Sequence, residues 1–116
     1  MNELEELNQE IRQFAVERDW EKFHTPKNLS MAIAGEVGEL MECFQWLTPE
    51  ESLALSGSDK QHVADEIADI TVYLMRLCQV MDIDIMTAMR DKIKLNREKY
   101  PVEKSKGKAT KYTDLK

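Results

Sequence analysis

Glycine and proline are scarce in this chain, four and three among 116 residues. So few turn-forming residues exclude an architecture of many short strands. The abundance of Glu, Lys, Leu, Met and Ala, all good helix formers, sets the expectation of an all-α fold. Cysteine is almost missing as well. Cys43 and Cys78 each lie in an apolar stretch and form no CxxC pair. That excludes a disulfide framework and a thiolate zinc site, and predicts buried reduced thiols in a reducing compartment, the cytoplasm. There is no surplus of positive charge: 22 acids face 16 Lys and Arg, a net charge of −6, and the lysine excess is confined to the C-terminal end. A nucleic-acid partner is excluded on that ground, because a phosphate backbone demands a basic face. Nor is there a long uninterrupted apolar run. The longest, residues 29–47, is broken by Glu36, Glu39 and Glu42, each expensive near a bilayer centre, so no membrane span is expected. The opening residues, Met1-Asn2-Glu3-Leu4-Glu5-Glu6, lack the basic-then-apolar order of an export signal.

What remains is enough chain for one domain, with 42% hydrophobic residues to build a core. Leu4, Leu7, Ile11, Phe14 and Ala15 follow helical spacing and predict a first helix over about residues 2–19. Thr25-Pro26 reads as an N-cap followed by proline at the first helical position, starting a second helix that runs to about residue 46. Thr48-Pro49-Glu50-Glu51 repeats the signal with a capping box and predicts a short helix over about residues 49–55, ended by Ser56-Gly57-Ser58. A third long helix, about residues 59–81, carries Val63, Ile67, Ile70, Leu74, Leu77 and Met81 as its core stripe. Asp82 and Asp84 offer caps for a fourth, about residues 85–100, closed by Pro101. The expected architecture is a four-helix bundle-like domain with a short extra helix over residues 1–101, followed by a basic, loosely ordered tail over 102–116.

The chemistry is concentrated in two carboxylate pairs. Glu36 and Glu39 are three apart on the second helix, Glu66 and Asp69 three apart on the third, so each pair projects from one helical face. Opposed, they make a nest of four oxygen ligands suited to Mg²⁺, or to Mn²⁺, rather than to zinc. Acidic pairs at this spacing also arise by chance on solvated helices. These two, however, lie among apolar or very small neighbours, Ala34-Gly35-Glu36-Val37-Gly38-Glu39-Leu40 and Ile67-Ala68-Asp69-Ile70, where unpaired carboxylates would require protonation or a divalent cation. Gly35 and Gly38, each costing about 0.5–1 kcal/mol in a helix interior, predict a close approach by another helix or by a ligand. A di-iron bundle is excluded because it needs two Glu-x-x-His pairs and the chain does not have two. His62 reads either as an outer partner of the acids or as a solvated residue at a helix start.

The motif pair Glu36-Val-Gly-Glu39 and Glu66-Ile-Ala-Asp69 resembles the ExxE…ExxD signature of the all-α nucleoside triphosphate pyrophosphohydrolase superfamily, the MazG-like proteins. Arg18-Asp19-Trp20, Phe23-His24-Thr25-Pro26-Lys27-Asn28-Leu29, Phe44-Gln45-Trp46, Asp69-Ile70-Thr71-Val72-Tyr73-Leu74, the run from Lys92 through Asn96 to Pro101, and Lys111-Tyr112-Thr113 are similar to its dCTP pyrophosphatase branch. The resemblance implies that Glu36, Glu39, Glu66 and Asp69 are metal ligands and catalytic residues. With Mg²⁺ they would hold a triphosphate while water attacks the α,β linkage, leaving a monophosphate and pyrophosphate. It also implies that Trp20, His24, Trp46, Tyr73, Lys92 and Asn96 contact substrate, dCTP or a modified dCTP, in a homodimer or a dimer-of-dimers tetramer. By their own chemistry both tryptophans equally suit packing at helix ends, His24 suits capping, and Lys92 suits solvent. The chain departs from the pattern of the animal members at Ile11, where they carry a histidine. Two other readings stand beside this one: a non-catalytic helical interaction module, and a superfamily relative acting on dUTP or phosphoribosyl-ATP.

Overall fold

Local capping chemistry sets where four of the helices of the computed structural model begin, and residues 1–116 are all described. The first helix, α1 (Glu3–Glu17), starts at Asn2 in a reciprocal capping box: Asn2 Oδ1 accepts from the Glu5 amide at 2.9 Å, and Glu5 Oε2 accepts from the Asn2 amide at 3.3 Å. A 3₁₀ turn (Glu21–Phe23) leads to α2 (Pro26–Glu42), whose first turn is closed by the Thr25 hydroxyl accepting from the Asn28 amide at 3.2 Å. Thr48 and Glu51 form the predicted box at the head of the short α3 (Pro49–Ser52). The longest helix, α4 (Gly57–Met81), ends at Asp82 in the left-handed region, φ 55°. Asp84 Oδ1 then caps α5 (Ile85–Lys99) by accepting from the Thr87 amide at 3.1 Å. Two short pieces follow, α6 (Val102–Ser105) and a 3₁₀ turn (Tyr112–Asp114). There is no strand, so the all-α expectation holds.

Three boundaries differ from the sequence reading. α2 stops at Glu42 rather than near Trp46, because the amides of Cys43, Phe44 and Leu47 each find a carbonyl three residues back and wind the chain into turns. The short helix is one turn, not two. Gly57 does not end it; it opens α4 with φ +59°, a conformation that favours glycine.

The chain forms two compact units, Met1–Ile83 and Asp84–Lys116. In the first, α2 lies along α4 and α1 packs on the same helix. Only Ala15, Leu29 and Met75 are fully buried apolar residues. The expected core stripe of α4 splits in two: Val63, Ile70 and Leu77 are half-buried, whereas Ile67, Leu74 and Met81 are exposed. In the second unit the segment after Pro101, which shows no periodicity, turns back so that Tyr112 meets Tyr100 edge to face, centroids 6.0 Å apart, with Lys99 Nζ 4.7 Å from its ring centre. Two aromatic rings and a cation thus hold a segment that its composition describes as loose. No helix is long and apolar enough to cross a membrane.

Candidate active site

Packing of α2 along α4 brings carboxylates from both helices together. Ligand oxygens of Glu36, Glu39 and Glu66 all lie within 4.8 Å of one another. Asp69 is one turn further along α4; its charge acts on Glu36, but it stands outside that tight set. Glu66 is buried, and Oε2 of Glu66 and Oε2 of Glu36 are both sealed from solvent without any hydrogen-bond partner. His62 Nε2 is 3.5 Å from Glu66 Oε1; no Lys or Arg pairs with any of the four acids. Loss of hydration at Glu36, the Glu66 and Glu39 carboxyls that a proton on Glu36 can bridge, and the negative charges of Glu39 and Asp69 push the Glu36 carboxyl up to about 7. An oxygen-only donor set with two orphaned oxygens and no counter-charge fits a hard divalent cation.

Two of these acids border a cavity of about 640 Å³, within the size range of small-molecule sites. Glu36 and Asp69 line it at the carboxylate end; Trp20, His24, Tyr73 and Arg76 line it as well. Trp20 is placed there by a reversal at the end of α1. Asp19 takes a left-handed conformation, φ 55°, and the Trp20 amide bonds back to the Ala15 carbonyl at 3.0 Å. The indole then meets Phe14 and His24 edge to face, with centroids 5.6 and 6.4 Å away. His24 Nδ1 accepts from Arg76 Nε at 2.9 Å, so its proton sits on Nε2. Burial first, then the Arg76 charge, hold the imidazole pKa below its ordinary value against the opposite pull of Glu21.

Of the ten residues that the sequence singles out, the structure gathers seven: the four acids and Trp20, His24 and Tyr73. Trp46 is 86% exposed in the turns after α2 and does not line the cavity. Lys92 and Asn96 lie one turn apart on α5 of the second unit, both exposed. Around Gly35 and Gly38 the expected close approach is not made by this chain, for a Cβ at either would meet nothing within 4 Å. Sequence reasoning passes over Arg76. The available signal is its place inside Leu74-Met75-Arg76-Leu77-Cys78, three residues after Tyr73 and seven after Asp69.

Comparisons with known proteins identify the family. The sequence profile of the MazG-like family matches residues 31–115. The protein called dCTP pyrophosphatase 1 in Bos taurus is 45% identical over 114 residues, a match covering 97% of this chain and 68% of the relative. Its Homo sapiens counterpart is 40% identical, with 97% and 67% covered. A crystal structure of a pyrophosphatase from Archaeoglobus fulgidus superimposes with a TM-score of 0.83 at 41% identity, covering 87% of this chain and 94% of that one. With its helical fold, its paired ExxE and ExxD acids and these relatives, the chain belongs to the MazG-like family.

Proposed function

We propose that this chain is a nucleoside triphosphate pyrophosphohydrolase that converts dCTP, or a modified dCTP, to the monophosphate and pyrophosphate. The observation that carries the reading is a cluster of acids without a Lys or Arg partner, of which Glu36 lines, together with Asp69, the same cavity as Trp20, His24 and Tyr73. The names of the relatives, dCTP pyrophosphatase 1, support the substrate. Glu36, Glu39, Glu66 and Asp69 are the residues that would hold Mg²⁺, with Mn²⁺ as the alternative; such an ion supplies Lewis acidity and neutralises phosphate charge. The chain's own share is positioning. Trp20 presents an indole face for a base, and Tyr73, one turn beyond Asp69, borders the path between the acids and the aromatic wall. Trp46, Lys92 and Asn96 stay in the reading as nucleotide contacts on the strength of the motif resemblance. The two free thiols, Cys43 and Cys78, support a cytoplasmic setting.

Pyrophosphate release from the eight common nucleotides, with phosphoribosyl-ATP as a ninth, tests the substrate. dCTP is expected to give the highest kcat/KM. A panel led by dUTP or phosphoribosyl-ATP would transfer the chain to another branch of the superfamily, and release from none would leave a helical interaction module.

A homo-oligomer, dimer or dimer of dimers, belongs to the same proposal. Its support is the apolar surface left open on α2 and α4, where Met31 is 64%, Met41 63% and Ile67 51% exposed. Sedimentation at micromolar concentration is expected to give at least twice the 13.5 kDa of one chain. A fully active species of single-chain mass would rule assembly out.

A further inference from the structure

Arg76 is 6% exposed, yet no carboxylate lies within ion-pair distance of it. A buried guanidinium normally has an acid partner, because loss of hydration is otherwise uncompensated. Here every partner is neutral. Nε donates to His24 Nδ1 and Nη1 to Gln79 Oε1, both at 2.9 Å, while Nη2 donates to no protein atom. Gln79 is itself held by Nε2 donating to the Asn8 carbonyl at 2.7 Å and to Asn8 Oδ1 at 3.1 Å. The guanidinium plane is therefore fixed from α1 through α4, with one nitrogen unpaired, and the residue lines the cavity that also holds Trp20 and Tyr73.

Position decides what that nitrogen meets. Arg76 follows Asp69 by seven residues, about 10 Å along the helix at 1.5 Å per residue. A cation serving the phosphates belongs at the acid end. Two turns away, beside the indole and beyond Tyr73, is where the far edge of a base arrives when its phosphates lie at the carboxylates. Arginine has donors and no acceptor. That matches the adjacent O2 and N3 acceptors of cytosine and mismatches uracil and thymine, which present N3–H at the same place.

Resting on the reading of this cavity as a nucleotide site, we propose that Arg76 is a base-selecting residue whose free Nη2 donates to the O2/N3 edge of cytosine and discriminates against 4-oxo pyrimidines. Of the α1 residues lining the same cavity, Leu7, Ile11, Phe14 and Ala15 are apolar and the Glu10 carboxylate only accepts, so no α1 side chain donates to O2 or N3.

The test compares kcat/KM for dCTP, dUTP and 3-deaza-dCTP, which lacks the N3 acceptor, in the wild type, Arg76→Met and Arg76→Lys. The wild type is expected to favour dCTP over both others by roughly 10- to 100-fold, the worth of a good base-edge contact. Arg76→Met is expected to collapse both ratios toward one. Arg76→Lys, which keeps charge but not the planar fork, is expected to lower them in the same direction and supplies the readout if the methionine variant does not fold. Equal losses on all three nucleotides would mean a structural or phosphate role and overturn the proposal. So would a wild type indifferent to N3. A wild type that releases pyrophosphate from no nucleotide overturns the site reading and this inference together, whereas one that hydrolyses dCTP with ratios unmoved by substitution overturns this inference alone.

Discussion

Replacing Glu39 by glutamine is expected to lower kcat/KM for dCTP by roughly 10³-fold or more, since a metal's charge stabilisation is worth several kcal/mol and each 1.36 kcal/mol is a factor of ten. The same substitution is expected to leave the melting temperature of the EDTA-treated protein unchanged or higher. Glu39 crowds Glu36, and its removal relieves that repulsion. The pH dependence carries a sign. Folding raises the Glu36 carboxyl from 4.5 to about 7, so between these values the folded chain keeps a proton that the unfolded chain has lost. The stability this contributes is complete below about 4.5 and disappears as pH rises through about 7. Thermal melts of the metal-free wild type should therefore fall across that window, and those of the glutamine variant should fall less. A variant that melts far lower than the wild type in EDTA would identify Glu39 as a structural residue and remove it from the metal site.

Withdrawal of divalent cations is expected to stop pyrophosphate release altogether, with Mg²⁺ restoring it and Mn²⁺ as the alternative ion. Binding to the folded chain should also raise the melting temperature, by about 2.7 kcal/mol of stabilisation at a hundred times the dissociation constant. Proton and metal compete for Glu36, so the half-saturating Mg²⁺ concentration should drop as pH rises through about 7. Undiminished release in excess chelator would leave the acid cluster without its assigned role.

The features legible in the sequence are those decided by local chemistry. Thr25 with Pro26, Thr48 with Glu51, and Asp84 all start helices because a short side chain reaches an amide three residues ahead. Glu36, Glu39 and Glu66 were legible for a similar reason, since three-residue spacing fixes their faces before any packing is known. Contacts distant along the chain were not. The apolar run past Glu42 keeps helical spacing while the backbone turns out of the helix. Nothing in residues 63–81 distinguishes the exposed row Ile67, Leu74, Met81 from the half-buried row beside it. The role of Arg76 could not be read from the sequence because its partners, His24 and Asn8 through Gln79, lie 52 and 71 positions from the residues they meet. Trp46, which the motif resemblance brings to the nucleotide, stands in solvent when one chain is viewed alone.

With Ala15, Leu29 and Met75 as the only fully enclosed apolar side chains of the larger unit, a solitary protomer has little to oppose the entropy of its own backbone. If folding is completed by association, dilution acts on this enzyme as a denaturant does. Specific activity would decline on lowering protein concentration, melting points would rise with it, and cellular abundance itself would set the fraction of competent molecules.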